Sequence, residues 1–280
     1  MVKKIHFLAG LPRSGNTLLS ALLNQHPEIY SSSVSNLLSE MYAISQTEKQ
    51  ESYLLNENNE KRTKQALKSY AQNFYFDVDK PIIIDRDKSW GYAGNIDNYI
   101  KKYLSDKPKI IYTVRDIPEV IASTIAINKQ GYLNDMKNDE YFNYSYLSDI
   151  DALTDYLMRP HGQINSCLLV LGTAFNPQYR DYFHLVEYSD LMVKTQETMD
   201  GIYSFLEIDG FEHDLSNIEK IEFENDEKLG FHPLKHHVRK TISASQTDPK
   251  QILSEYGMNK YSGTEFWRKE STIKVKGRDF

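Results

Sequence analysis

Small and polar residues between Gly10 and Thr17 lie where an apolar run gives way to a helix-length segment. The segment is Gly-Leu-Pro-Arg-Ser-Gly-Asn-Thr, with four residues between its glycines and a threonine two positions after the second. This spacing is typical of a phosphate-binding loop, in which glycines let backbone N–H groups approach an anion. The N-terminus of the following helix adds favourable partial charge. The segment therefore predicts an anion site, with an ordinary tight turn as the alternative.

One position of this loop differs from the form that hydrolyses nucleoside triphosphates. Those enzymes have a lysine before the threonine, and it contacts the β- and γ-phosphates. This chain has Asn16 there, which leaves Arg13 as the only strong cation of the loop. The difference disfavours triphosphate hydrolysis.

A second cation follows another apolar run. Residues 109–114 precede Arg115, and Ser123 comes eight residues later in a helix predicted to begin near Pro118. Ligands of open α/β sheets bind at the carboxyl ends of the strands, so we expect Arg115 at the same edge as the loop. A ligand lying across the first turns of the helix could contact both side chains. The alternative is an ion pair at the helix start and a surface serine.

Four short apolar runs predict the strands that position these residues. The runs are nearly continuous in apolar residues, as expected when both faces of a sheet are covered. Their alternation with amphipathic segments predicts a parallel sheet with right-handed crossovers. The predicted strands are 4–9, 81–84, 109–114 and 182–187, and the predicted helices are 17–23, 61–74, 117–129, 191–206 and, broken near Pro160, 149–175. We predict one α/β domain over residues 1–280, with a polar extension from about residue 225.

Composition and charge exclude several other classes of protein. The chain has 280 residues, of which 40% are hydrophobic and 26% charged, values typical of a globular protein. Its net charge of -6 disfavours a general nucleic-acid binder. Cys167 is the only cysteine, which excludes an intrachain disulfide and fits a reducing compartment. Since no apolar run approaches the ~20 residues that cross a bilayer, we expect a cytoplasmic protein that binds neither nucleic acid nor membrane.

Histidines near the C-terminus do not predict a metal site. His232, His236 and His237 have no acidic or cysteine residue at a metal-ligand spacing. We therefore expect no metal.

Two segments resemble a known enzyme family. Residues 11–19, Leu-Pro-Arg-Ser-Gly-Asn-Thr-Leu-Leu, resemble the 5′-phosphosulfate loop of sulfotransferases that use 3′-phosphoadenosine 5′-phosphosulfate (PAPS), closest to the tyrosylprotein and Golgi-type pattern Pro-Arg-Ser-Gly-Thr-Thr-Leu. Residues 114–123, Val-Arg-Asp-Ile-Pro-Glu-Val-Ile-Ala-Ser, resemble the 3′-phosphate motif of the same family. The resemblance implies a P-loop-type three-layer sandwich, a central parallel sheet flanked by helices. It also implies PAPS as co-substrate and transfer of a sulfuryl group to a hydroxyl or amine acceptor.

The resemblance also implies which residues contact the nucleotide. Tyr188 lies in a segment like the family's strand–Tyr–x–Asp–Leu sequence, although it could equally be a half-buried strand residue. Arg239 and Lys240 could close over the 3′-phosphate from the C-terminal extension, with a solvated basic loop as the alternative. The implied nucleotide-binding residues are Arg13, Ser14, Gly15, Asn16, Thr17, Leu18, Arg115, Ser123, Tyr188, Arg239 and Lys240.

The catalytic residues that the resemblance implies are fewer. Lys88, with Asp87 beside it, follows the second predicted strand, where the family has a lysine near the sulfonate. Tyrosylprotein-type enzymes have a glutamate shortly after the first helix. The aligned residue here is Val34, and the nearest downstream acid is Glu40, in a probable helix. We predict Lys88, Asp87, Glu40 and Arg13 as catalytic residues and leave the identity of the base open.

Two other functions are compatible with parts of the sequence. A P-loop kinase acting on a nucleotide or small molecule would use the loop, and residues 82–85, Ile-Ile-Ile-Asp, could be its magnesium-binding strand. That function leaves Arg115 and Ser123 unused. A catalytically degenerate nucleotide-binding module would explain the missing base. The resemblance implies an acceptor that is a small molecule, a sugar or another hydroxyl-bearing compound, and residues 132–146 could form a lid over it.

Overall fold

Five parallel strands form the centre of the molecule, in the order β2-β3-β1-β4-β5. The computed structural model describes residues 3–142, 147–221, 226, 228, 236–243 and 247–269. The strands are β1 (Lys4–Gly10), β2 (Ile29–Ser31), β3 (Ile82–Arg86), β4 (Ile110–Val114) and β5 (Phe183–Glu187). In the register, Phe7 of the central strand lies opposite Asp85 on one side and Ile110 on the other. The predicted α/β fold with a parallel sheet is confirmed.

Helices cover both faces of the sheet. They are α1 (Asn16–Leu23), α2 (Leu37–Ser45), α3 (Glu51–Leu54), α4 (Asn58–Phe74), α5 (Ala93–Asn95), α6 (Ile117–Lys137), α7 (Asp149–Met158), α8 (Gln163–Thr173), α9 (Tyr188–Val193), α10 (Thr195–Leu206), α11 (Pro249–Ile252) and α12 (Glu255–Tyr261), with a π-helix at Ile96–Leu104. None of the helices in the described ranges has the length and apolar character needed to cross a membrane.

Alternating side chains of the strands reach opposite layers of helices. Phe7 packs with α2, α4 and the π-helix, whereas Leu8 packs with α1 and α10. Tyr112 and Val114 of β4 pack with α6, α7 and α8. Because successive strand residues point to opposite faces, an apolar run without alternation supplies both layers. The three-layer architecture follows from this pattern.

Some observed elements match the predicted boundaries and others differ from them. The break predicted near Pro160 in the helix over 149–175 is confirmed: Arg159 is extended (ψ 161°), as the residue before Pro160 prefers to be, and separates two helices. The helix predicted over 191–206 begins earlier, at Tyr188, and is interrupted at Lys194 (φ -124°, ψ 47°). Strand β2 was not predicted, because three residues at the sheet edge are too short to show a pattern.

The C-terminal part of the chain is integrated into the fold. Leu253 and Trp267 are buried in the core cluster that contains α6, α7 and α8. Glu265, also buried, accepts a hydrogen bond from the backbone N–H of Ile117 at 2.9 Å and so caps the start of α6. Residues 247–269 therefore belong to the same core as the sheet.

His6 in β1 makes the stability of the fold depend on pH. Burial, together with the charges of Lys4 and Lys109, lowers the pKa of His6 from 6.5 to about 3. Among the described residues its Nε2 atom has no hydrogen-bond partner. Since only the unfolded chain binds a proton at this histidine near neutrality, stability is lost as the pH falls below 6.5.

As the pH falls below 6.5, we expect the buried His6 to lower the free energy of unfolding by up to ~1.4 kcal/mol per pH unit. Urea unfolding at about pH 7 and about pH 5 should therefore show a smaller loss for His6→Leu than for the unsubstituted chain. The exposed His161, replaced as His161→Asn, is the matched control and should leave the loss unchanged. Equal losses in all three proteins would contradict the assignment.

Candidate active site

A cavity of about 860 Å³ opens at the carboxyl ends of β1, β3 and β4. This is where ligands of open α/β sheets bind. The predicted site residues that line it are Arg13, Gly15, Asn16, Thr17, Leu18, Asp87, Lys88, Arg115, Ser123, Tyr188 and Arg239. The fold thus brings together residues from the loop, two other strand ends, α6, α9 and the C-terminal segment.

The Asn16 side chain fastens the loop to the neighbouring strand. Its Nδ2 atom donates to the carbonyl of Leu11 at 3.0 Å, and its Oδ1 atom accepts from the Thr113 hydroxyl of β4 at 3.0 Å. Ser14 is fully buried below the loop and donates to the Leu11 carbonyl at 2.6 Å. A lysine has no acceptor and could not take the hydrogen bond from Thr113. Asn16 therefore supports the loop through its amide.

Two glycines are required by the close packing of the loop. A Cβ on Gly10 would lie 2.1 Å from the Thr113 hydroxyl oxygen. Cβ atoms in real structures do not come this close to a neighbouring atom. Gly15 has a φ of 93° and lies against the Tyr188 ring, which a Cβ would meet at 3.1 Å. Such positive φ values favour glycine. The loop is thereby held against both β4 and α9.

Arg13 and Arg115 converge on one side of the loop. The Arg13 Nε donates to the Ser123 hydroxyl at 3.2 Å, and the Arg115 Nη1 donates to the Arg13 carbonyl at 2.8 Å. The Arg115 guanidinium is buried, lies 4.2 Å from the centre of the Tyr188 ring and pairs with Glu119 at 2.8 Å. Burial first, and the charge of Arg115 second, lower the pKa of Arg13. An anion bound here would stabilise the charged form of Arg13 and offset the cost of burying it.

The backbone of Arg13 is itself held in an uncommon conformation. Its φ of 61° is in the left-handed region, which costs a residue with a side chain of order 1–3 kcal/mol. The conformation persists because both the carbonyl and the side chain have partners, Arg115 and Ser123. The two predicted anion sites are thus one connected structure.

The end of β3 contributes three residues to the cavity. Asp87 and Lys88 were predicted, but Arg86 was not. Arg86 is buried, lines the cavity and donates from Nη1 to the Thr17 hydroxyl at 3.3 Å. A cation at the carboxyl end of a strand was the available signal. That signal identifies a site residue only because β3 lies beside β1 in the sheet, which brings Arg86 to the loop.

Three predicted site residues do not line the cavity. Ser14 lies beneath the loop, as described. Glu40 is on α2, where its carboxylate accepts a hydrogen bond from the Asn36 amide at 2.8 Å. The backbone carbonyl of Lys240 accepts from the N–H of Ile218 at 2.7 Å, and its exposed side chain is outside the lining. Val34, the aligned position for the family's glutamate, does line the cavity.

The sequence agrees with one family model over most of its length. The model of the sulfotransferase family matches residues 6–213. The chain belongs to the sulfotransferase family. No curated protein matches it in sequence.

Solved structures of sulfotransferases are similar to this chain, and the first of them shows its fold. The sulfotransferase domain from the curacin biosynthetic pathway has 18% sequence identity, with 98% of each chain covered and a TM-score of 0.53. The sulfotransferase domain from the Synechococcus PCC 7002 olefin synthase has 20% identity, a TM-score of 0.47, and coverage of 89% of this chain and 94% of the other. Mouse sulfotransferase SULT7A1, complexed with PAP, has 11% identity, a TM-score of 0.48, and coverage of 93% and 82%.

Asp85 is a buried hydrogen-bond acceptor in the core of this sulfotransferase. It is fully buried and accepts hydrogen bonds from Ser35 and the Trp90 indole, each at 2.6 Å, and from the Tyr75 hydroxyl. Burial raises its pKa. Asp85 is not among the residues that line the cavity. The carboxylate that a kinase would have used to bind magnesium therefore lies outside the site. The described ranges contain no group of three metal-ligating side chains.

The far wall of the cavity comes from α6 and α8. Tyr132, Gln163 and Cys167 line it, with the apolar Ala126 and Ile127. Burial raises the pKa of Tyr132, which hydrogen-bonds Gln163, and raises the pKa of Cys167 to about 11. Tyr132 was predicted as the start of a lid over 132–146, and the structure has it within α6. Residues 143–146 of that segment, and His232, lie outside the described residues.

Proposed function

We propose that this sulfotransferase transfers the sulfuryl group of PAPS to a hydroxyl group of a small-molecule acceptor. The observation that carries the proposal is the joined pair of anion sites, in which Arg115 and Arg13 link the loop to Ser123. PAPS has two separate phosphate groups, at the 5′ and 3′ positions. A nucleoside triphosphate would leave the second site without a ligand. The cytoplasmic location expected from the sequence stays a prediction.

The 5′-phosphosulfate belongs at the loop in this proposal. Backbone N–H groups between Gly10 and Thr17 and the start of α1 would stabilise its charge. The 3′-phosphate would accept hydrogen bonds from Arg115 and Ser123. The Tyr188 ring, already stacked on the Arg115 guanidinium, would form one boundary of the nucleotide site.

The cations around the loop would serve the chemical step. As the acceptor oxygen forms its bond to sulfur, the bond from sulfur to the phosphate oxygen breaks and negative charge grows on the departing nucleotide. Lys88, Arg13 and Arg86 line the cavity beside the loop and would stabilise that charge. By analogy with phosphoryl transfer, positioning and electrostatics supply most of the rate enhancement.

The acceptor belongs against the far wall. The wall there contains the apolar Ala126 and Ile127 together with the polar Tyr132 and Gln163. A cavity of about 860 Å³ is within the range of small-molecule sites. Its mixed lining suits a compact hydroxyl-bearing compound with an apolar portion.

Calorimetry with the desulfated product 3′-phosphoadenosine 5′-phosphate (PAP) tests the proposal. PAP should bind more tightly than AMP, because AMP lacks the 3′-phosphate, and PAPS should be turned over without added magnesium. Equal binding of PAP and AMP would exclude the assignment of Arg115 and Ser123. Magnesium-dependent turnover of ATP would favour the kinase instead. Detectable PAP binding without any PAPS turnover would favour a degenerate binding module.

We propose further that residues 236–243 cover the bound nucleotide. Arg239 lines the cavity from this segment and donates to the Ser243 hydroxyl at 2.7 Å. Deleting the whole extension is not a clean test, because Leu253 and Trp267 belong to the core. Single substitutions are the better choice.

Arg239→Ala should weaken PAP binding about two- to fivefold, as removal of one exposed charge contact does. The neighbouring Lys240→Ala, whose side chain is outside the cavity lining, should change the dissociation constant less than about twofold. Calorimetry at low salt measures both. Equal effects at the two positions would mean that the segment acts only through its net charge.

A further inference from the structure

Arg268 joins the ends of two neighbouring strands. Its Nε and Nη2 atoms donate to the two carboxylate oxygens of Glu187, at 2.9 and 3.0 Å, and its Nη1 atom donates to Oδ2 of Asp116 at 3.2 Å. Asp116 lies two residues after β4 and Glu187 ends β5, and these strands pair in parallel. We call Arg268, with Asp116 and Glu187, the Arg268 bridge.

Both carboxylates of the bridge are next in the chain to residues of the proposed 3′-phosphate site. Asp116 follows Arg115, and Glu187 precedes Tyr188. The Arg115 guanidinium lies 4.2 Å from the centre of the Tyr188 ring. The residues of the bridge do not themselves line the cavity. Any effect of the bridge on contacts to a nucleotide therefore passes through the positions of Arg115 and Tyr188.

The residues next to Arg268 fix the place of the bridge. Trp267 is buried in the core, and its indole N–H donates to Glu187 at 2.9 Å. Glu265 accepts the backbone N–H of Ile117 at 2.9 Å, at the start of the helix that carries Ser123. Residues 265–268 thus contact both elements that border the proposed 3′-phosphate site. They lie beyond residue 213, where the match to the family model ends.

The geometry of the bridge favours a role in positioning over one in stability. A guanidinium that donates two hydrogen bonds to one carboxylate is held in a single orientation. The Arg268 side chain is 44% exposed, and an ion pair in contact with water contributes little to folding stability. Contacts that are ordered before binding strengthen affinity, because the ligand does not have to order them. The bridge can therefore affect binding more than it affects folding.

We propose that the Arg268 bridge positions Arg115 and Tyr188 for the 3′-phosphate end of the nucleotide, with Arg268 and Glu187 as positioning residues. This inference rests on the proposed function. The bridge holds the ends of β4 and β5 together, so that Arg115 meets the 3′-phosphate already stacked on the Tyr188 ring. Without the bridge, binding has to order these strand ends. AMP, which has no 3′-phosphate and is held by the loop, is affected less.

Arg268→Ala, Arg268→Lys and Glu187→Gln in the full-length chain test the proposal. The matched control is Lys260→Ala, because the Lys260 side chain is 43% exposed and also joins the C-terminal part of the chain to the core, through Asp155 of α7 at 2.9 Å. Calorimetry gives the affinities of each variant for PAP and AMP, and thermal unfolding gives its melting temperature.

For Arg268→Ala we expect PAP to bind about three- to tenfold more weakly and AMP to change less than about twofold. Arg268→Lys keeps the charge but not the planar guanidinium, and should restore only part of the PAP affinity. Lys260→Ala should shift the melting temperature about as much as Arg268→Ala does and leave the ratio of PAP to AMP affinity unchanged.

Glu187→Gln separates the effect of position from the effect of charge. Removal of a negative charge near the site would by itself strengthen the binding of an anion. Loss of the bridge weakens it, and we expect PAP to bind about two- to fivefold more weakly with AMP nearly unchanged. Unchanged or stronger PAP binding in this variant would overturn the proposal, even if Arg268→Ala did not fold.

The proposal also fails if the ratio of PAP to AMP affinity is unchanged in Arg268→Ala, or if it falls equally in Lys260→Ala. The second result would mean that the C-terminal part of the chain acts on the site only through general stability. If the unsubstituted chain binds PAP no more tightly than AMP, the proposed function itself fails. A preference for PAP that all the variants keep would overturn the role of the bridge alone.

Discussion

Lys88→Ala should lower the rate of sulfuryl transfer by about 10²–10³-fold and leave the affinity for PAP nearly unchanged. Lys88 lines the cavity at the end of β3, and its charge opposes the rise that burial produces in the pKa of Cys167. In the proposed function, this position would let the side chain stabilise charge that develops during transfer. PAP lacks the sulfuryl group, so its affinity reports on the ground-state contacts alone.

Single-turnover measurement of PAPS consumption, with calorimetry of PAP, separates these two effects. The exposed Lys64 of α4, replaced as Lys64→Ala, is the matched control and should alter neither quantity. A loss of PAP affinity as large as the loss of rate would make Lys88 a nucleotide-binding residue. An unchanged rate would remove it from the site.

Arg115→Ala should weaken PAP binding by about 1.5–3 kcal/mol, roughly 10–150-fold, because it removes a charge-assisted contact to the 3′-phosphate. The buried guanidinium also donates to the Arg13 carbonyl, so a small part of the loss acts through the loop and is shared by AMP. Binding of AMP, which lacks the 3′-phosphate, should change much less. The ratio of PAP to AMP affinity should therefore approach one.

Calorimetry with both nucleotides, together with the melting temperature of the variant, checks this result. Arg115→Lys keeps the charge but not the planar guanidinium, and we expect an intermediate loss. Arg180→Ala removes an exposed arginine that pairs with Asp181 and should leave the ratio unchanged. Parallel losses for PAP and AMP would assign Arg115 to the loop rather than to the 3′-phosphate.

The local parts of the site could be predicted from the sequence. The loop between Gly10 and Thr17, the strand that ends before Arg115 and the helix that carries Ser123 each depend on residues close together in the chain. Apolar runs determine strands, and the glycines determine the tight turn that follows β1. The fold class and the family followed from these segments, since their order along the chain is itself a specific signal.

The partners of individual side chains were decided by the tertiary structure. Asn16 departs from both related loops, and its hydrogen bonds to the Leu11 carbonyl and from the Thr113 hydroxyl of β4 appear only in the folded chain. Arg86 enters the site because β3 is adjacent to β1, an order that the chain sequence does not state. Glu40 was predicted from its distance along the chain, but on α2 its carboxylate bonds Asn36 outside the cavity.

The pair of His236 and Asp226 is the clearest case of a contact that the sequence did not predict. The histidines were recognised as a group, and the sequence had no acidic residue at a metal-ligand spacing beside them. The structure brings Asp226, ten positions earlier, to 2.6 Å from His236. Residue types and local spacing determine which elements form and which chemistry is available. Contacts between distant segments depend on how buried surfaces pack, and so the position of each reactive group was decided only in the folded chain.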